Sequence, residues 1–138
     1  MVIIMDYFCT MKNFIRKYPL SLAVIAAILY LSLSTPPKTG LDPIPGIDKI
    51  VHLCMYGGLE LIIWLEYLRH HQILERKKII WLAIIAPILL GGAVEIAQAT
   101  LTENRSCELA DLIADTAGVF AGAAAGYLSH SLKGRRVR

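Results

Sequence analysis

The sequence predicts an all-α integral membrane bundle of four transmembrane helices with both termini in the cytoplasm. Three observations predict it. Of 138 residues, 56% are hydrophobic and only 18% charged, with a mean hydropathy of +0.55, which is more apolar surface than a soluble domain of this size can hide. The apolar residues cluster into four runs joined by short connections, a pattern that also excludes a disordered chain. Finally, eleven of the fourteen Lys and Arg residues fall where a four-span chain would place them on one side.

The first run covers about residues 19–35. Pro19 suits a first helical turn, and Pro36–Pro37 stop the helix. The second runs over about 47–68 and the third over 79–101, the latter with Pro87 and Gly91–Gly92 inside it. The fourth, 109–132, is interrupted by two aspartates but is rich in Gly and Ala. The first three approach or meet the roughly 20 residues needed to cross hydrocarbon. Internal Pro and Gly are tolerable where neighbouring helices re-satisfy the backbone. The short connections (36–46, 69–78 and 102–108) favour an up-down bundle with antiparallel neighbours.

This division gives an N-terminal cytoplasmic segment (1–18), a membrane domain (19–132) and a basic cytoplasmic tail (133–138). Lys12, Arg16 and Lys17, then Arg69, Arg76, Lys77 and Lys78, then Lys133, Arg135, Arg136 and Arg138 share the inner side. Lys38, Lys49 and Arg105 lie opposite. The first run also reads as a cleavable signal peptide with Ser32-x-Ser34 as a cleavage site; Asp6 and the long leader weigh against that. The net charge of +3 is too small to argue for nucleic acid, and the basic tail is a topology signal that meets anionic lipid. Cys9, Cys54 and Cys107 have no CxxC spacing and suggest neither a disulfide framework nor a zinc site; no metal or cofactor is expected.

The informative residues are polar ones in apolar runs. Asp48, His52, Tyr56 and Glu60 recur every four residues and so share one helical stripe, with Lys49 beside it. Asp48 can meet His52 at i, i+4 and fix its tautomer, while Lys49 meets it at i, i+3. Glu95 and Gln98 end the third run, Arg105 sits in the next loop, and Asp111 and Asp115 open the fourth run. The topology places Asp48, Lys49, His52, Glu95, Gln98, Arg105, Asp111 and Asp115 in the outer leaflet. A charge at mid-span costs about 2.5–3.5 kcal/mol on insertion scales, so such residues should face inward and pair. A purely structural reading is a network in which Arg105 and Lys49 neutralise Asp111, Asp115 and Glu95. Intramembrane ionisable groups more often mark a site, and the site reading is favoured. Glu60 either extends the stripe inward or is a protonated acid packed in the bundle.

Other features read as structural. Gly118-x-x-x-Gly122-x-x-x-Gly126 is a small-residue face for close helix packing. Trp64, Tyr67 and Trp81 are expected at the membrane interface. His70–His71 should be solvated, and Cys54 and Cys107 small packed residues.

The order Asp48-Lys49-x-x-His52-x-x-x-Tyr56, then Glu95-x-x-Gln98, then Arg105, then Asp111-x-x-x-Asp115-x-x-Gly118 resembles that of the VanZ-like family of small bacterial membrane proteins. The resemblance covers roughly residues 20–130. The family's last motif usually has Asn where this chain has Asp115, which adds a potential negative charge. The name-giving member is linked with low-level teicoplanin resistance, so the resemblance implies a role in the cell envelope, in the bacterial cytoplasmic membrane. Two functional classes follow. One is a binding or resistance-modulating protein that holds an envelope lipid, glycan or glycopeptide-related ligand with Asp48, Lys49, His52, Tyr56, Glu95, Gln98, Arg105, Asp111 and Asp115. The other is an acid/base enzyme acting on an envelope lipid or glycan precursor, with His52, Asp48, Glu95 and Asp115 as candidate catalytic groups. No nucleophile motif assigns a catalytic residue, and the binding reading is favoured. The expected partners are membrane lipids and no nucleic acid; the sequence leaves the oligomeric state open.

Overall fold

A computed structural model describes residues 11–34, 45–102 and 108–136, with side chains through residue 132. Five helices and no strand occur among them. We label these α1 (Met11–Lys17), α2 (Pro19–Leu33), α3 (Ile47–His70), α4 (Arg76–Leu101) and α5 (Leu109–Arg136).

Local chemistry sets the boundaries. Pro19 disfavours the α conformation at the preceding residue, and Tyr18 sits at φ −127°, ψ 46°. The chain bends there by 88° between α1 and α2. Gly46 enters α3 with φ +76°, a left-handed conformation that favours glycine. Within α4, Trp81–Ile85 form one wide turn of π type, in which the Ala86 N–H donates to the Trp81 carbonyl. This turn immediately precedes Pro87, whose ring would clash with a regular preceding turn.

From α2 onward, consecutive helices run antiparallel, as the sequence predicts. The Glu66 carboxylate accepts from Leu20 N–H (2.8 Å), Ser21 N–H (3.0 Å) and Ser21 Oγ–H (2.6 Å), which docks the start of α2 on the end of α3. Those two amides belong to the first turn of a helix and have no partner within it, so a buried carboxylate both satisfies them and meets the positive end of the helix dipole. At the other end, the Gln98 amide donates to the Ser32 carbonyl (3.0 Å), tying the last turns of α2 and α4 together.

The most extensive contact, however, joins the parallel helices α3 and α5. The glycine face makes it possible. A Cβ added at Gly118 would overlap the Leu53 carbonyl and lie 3.0 Å from Gly57 N, one at Gly122 would lie 2.7 Å from Gly57 O, and one at Gly126 would run into the Trp64 ring. The stripe therefore lets two backbones touch, as small-residue faces do in membranes.

The interior is built mainly from α3. Tyr56, Leu59, Ile63, Trp64 and Tyr67 are buried, with Ile28, Ala83 and Val119 packed around them. Trp64 and Tyr67 thus turn into the bundle and do not face outward as interfacial anchors would: Trp64 covers Gly126, and the Tyr67 hydroxyl accepts the Glu75 N–H at 3.1 Å. Only Trp81 of the three is exposed. Large apolar side chains face outward on each long helix (Leu61, Leu65, Leu89, Ile96, Ile113 and Phe120 among them), while Glu60, Glu66, Glu95 and Asp115 are buried. Apolar outside and polar inside is the arrangement a lipid solvent favours.

Among the described residues, three helices (α3, α4 and α5) are long and apolar enough to cross a membrane. α2 has 15 residues, short of the usual span, and is long enough to cross only together with α1 across the sharp bend.

Candidate functional site

Parallel packing of α3 and α5 brings their first turns to one end of the bundle, where the end of α4 also arrives. His52 from α3, Glu95 from α4 and Asp115 from α5 meet there, all buried. The His52 Nδ1 lies 3.0 Å from Asp115 Oδ1. Each of the three residues offers a donor atom within 4.8 Å of the others'. The approach of Asp115 to α4 depends on Gly91, where an added Cβ would sit 3.0 Å from Asp115 Oδ2.

Glu95 has a second task. Its Oε2 accepts the Glu108 N–H at 3.2 Å, at the entrance to α5, where unpaired amides and the helix dipole favour a carboxylate. Its other oxygen, Asp115 Oδ2 and the Tyr56 hydroxyl are buried without a hydrogen-bond partner among the described residues. Buried polar atoms of this kind ordinarily find a partner. This end of the bundle therefore holds unused hydrogen-bonding capacity on three side chains: two acceptors and a hydroxyl.

Above this floor lies a more exposed rim. The Lys49 ammonium is 2.7 Å from Asp48, 3.1 Å from Glu108 and 3.2 Å from Asp111. Asp48, Lys49 and Glu108 are open to the surroundings, and the Asp111 side chain retains 12% exposure. Two residue groups have donors placed to surround a cation. At the rim, Asp48, Glu108 and Asp111 already share the Lys49 ammonium. On the floor, the His52, Glu95 and Asp115 donors could hold a divalent ion; this set spans three helices and has no signature in sequence spacing.

Several details differ from the sequence expectation. Asp48 does not reach His52; it pairs with Lys49 at the exposed rim, and the carboxylate that orients His52 comes from α5. The reason is direction: His52 lies on the buried face against α5, whereas Asp48, at the helix start, points outward. Gln98 is buried, but its amide is committed to the α2 carbonyl. Tyr56 lies inside, one turn beyond His52, and Glu60 continues the stripe inward against Gly122, neither of its oxygens reaching a described hydrogen-bond partner. Cys54 is exposed rather than packed, and His71 stacks on Tyr67 with ring centroids 4.3 Å apart. Arg105 and Cys107 lie outside the described residues.

Sequence reasoning missed two participants in the site. Glu108 could have been found from its i, i+3 spacing to Asp111. Gly91 has a weaker signal, a glycine one turn before Glu95. At the opposite end of the bundle it also missed Glu66, which lies off the stripe of four and shows its purpose only when α2 is folded against it.

No curated protein and no solved structure matches the chain. A model of the VanZ/LLP1 family matches residues 3–130, a stretch that contains every residue of the floor and rim, and on that match the chain belongs to the VanZ/LLP1 family.

Proposed function

We propose that this chain is a four-span protein of the bacterial cytoplasmic membrane, with both termini in the cytoplasm, that binds the polar headgroup of an envelope lipid or glycan at its outer-leaflet end and thereby alters glycopeptide resistance. The observation that carries the binding reading is the floor itself. Three buried polar side chains from different helices hold unsatisfied atoms beneath a charged, open rim. A purely structural lock would be expected to pair its members with one another, because unpaired buried polar groups cost stability. Hydroxyl-rich or amine-bearing headgroups suit an acceptor-rich floor beneath a rim whose one cation among the described residues, Lys49, is already shared by three carboxylates. The four-span orientation is supported by the eleven basic residues on one side. It is also supported by α2, whose two ends are tied to opposite ends of the bundle through Glu66 and Gln98.

A second reading, an acid/base enzyme acting on an envelope lipid or glycan precursor, draws on one specific observation. The Asp115–His52 contact holds the imidazole through Nδ1 and leaves Nε2 without a described partner, the disposition of a general base. Native mass spectrometry of protein purified from bacterial membranes, with and without His52→Ala and His52→Gln, separates the readings. The binding reading expects a retained envelope lipid that is lost in His52→Ala and kept in His52→Gln, whose amide still hydrogen-bonds. Turnover of envelope precursors that stops in His52→Gln while the lipid is still retained would establish the enzyme. Equal retention by wild type and His52→Ala would overturn the binding reading, and turnover that persists in His52→Ala would overturn the enzyme.

A further inference from the structure

The opposite end of the bundle carries a different kind of site. An open pocket of about 760 Å³ lies between the α1–α2 bend and the start of α4, with Lys17, Lys77, Lys78, His71 and the exposed Trp81 among its lining residues. A cleft of about 230 Å³ adjoins it and runs between α2, α3 and α4 along Ile25, Leu59, Ile63 and Leu90. Phe14, Tyr18, Leu82 and Ala86 line both, so the cationic mouth and the apolar cleft adjoin across these four residues.

Charge in the mouth is unbalanced. Lys78 lies 3.5 Å from Glu75, but Lys17 and Lys77 have no ion pair among the described residues. At the junction of mouth and cleft, the Tyr18 hydroxyl is buried without a hydrogen-bond partner among the described residues. A ligand matching these surfaces needs a negative headgroup, an acceptor near its base and an apolar chain continuing from it. Trp81 at the rim is the amphipathic side chain that favours the headgroup level of a bilayer. We propose that this mouth and cleft form a binding site for one anionic phospholipid, with its phosphate between Lys17 and Lys77 and one acyl chain in the cleft. Basic pockets between membrane helices suit acidic lipids because the low dielectric nearby strengthens the attraction. The site is remote from His52 and independent of what the floor binds.

The chain has two tryptophans, so Trp64→Phe leaves Trp81 as the sole reporter. This protein is reconstituted into phosphatidylcholine vesicles containing increasing fractions of brominated phosphatidylglycerol or brominated phosphatidylcholine, and Trp81 quenching is measured. We expect half-maximal quenching at a mole fraction roughly fivefold lower for the brominated phosphatidylglycerol, a preference weakened by salt. Lys17→Gln with Lys77→Gln should bring the two lipids together. Sodium phosphate should displace the lipid no better than sodium chloride of equal ionic strength. Equal quenching by both lipids in the parent would show ordinary lipid contact only and overturn the proposal. Quenching by neither would show that another occupant, such as a second copy of the chain, covers the mouth, with the same consequence. Native mass spectrometry on the wild-type chain, which should retain phosphatidylglycerol preferentially, repeats the test without any substitution.

Discussion

Substituting Gly118 by Ala should weaken the bundle more than its single added methyl suggests. The new Cβ would meet two backbone groups, the Leu53 carbonyl and Gly57 N, and neither can rotate away. Helices α3 and α5 must therefore separate. Overpacking of this kind costs about 1–3 kcal/mol, and a rigid backbone obstacle argues for the upper end. Against it stands the better helix propensity of Ala, worth up to about 1 kcal/mol. The net expectation is a loss of about 2 kcal/mol, or roughly thirtyfold in the folding equilibrium. Gly92→Ala is the matched control, since an added Cβ there meets nothing within 4 Å; it should be neutral or stabilising by up to about 1 kcal/mol. Reversible unfolding in mixed micelles, followed by circular dichroism against the mole fraction of dodecyl sulfate, measures both. If Gly118→Ala proved as stable as Gly92→Ala, the close parallel packing of α3 and α5 would be refuted.

Three further outcomes follow from the same structure. Glu66→Ala strands two first-turn amides of α2 and should cost about 1.5–3 kcal/mol, as expected for bonds to a charged acceptor, whereas Glu66→Gln keeps an acceptor and should lose less; the same unfolding titration reads both. Lys49→Met leaves Asp48, Glu108 and Asp111 facing one another, so membrane accumulation should fall and be partly restored by adding Asp111→Asn, as judged by immunoblotting of membrane fractions. In a background with Cys9, Cys54 and Cys107 replaced by Ser, a cysteine at Thr102 should label from outside intact cells and one at Gln72 only after permeabilisation; the reverse pattern would invert the proposed orientation.

Periodicity and composition made much of this legible. Stripe spacing marked His52, Tyr56 and Glu60 as one face, and that face does pack inward. The glycine repeat marked the α5 contact surface because only a missing Cβ permits such an approach. What spacing could not show was partner choice across helices. Asp48 lies four residues from His52 and is the obvious local partner, yet Asp115, sixty-three residues away, takes the imidazole because α3 and α5 run parallel in contact. Aromatic residues near a loop suggested an interfacial belt, but Trp64 and Tyr67 turn inward because Gly126 and the Glu75 amide offer them partners. The bend at Tyr18 was only half visible. Pro19 announced a helix start, but nothing local reveals that a helical turn precedes it at nearly a right angle.

Glu95→Gln tests the central claim, that the floor of His52, Glu95 and Asp115 binds a ligand and is not merely a structural lock. The substitution is nearly isosteric, and the amide oxygen can still accept the Glu108 N–H, so the entrance to α5 stays capped. It removes one buried carboxylate, which is costly to keep in a low-dielectric interior. The measurement is retention of co-purified envelope lipid by native mass spectrometry, read beside the unfolding midpoint of the same preparation. The binding account predicts a variant as stable as wild type, or more so, that has lost the envelope lipid lost from His52→Ala and keeps any phosphatidylglycerol held at the opposite end. A variant that retains that envelope lipid at the wild-type level, or that loses stability and lipid together, would contradict it.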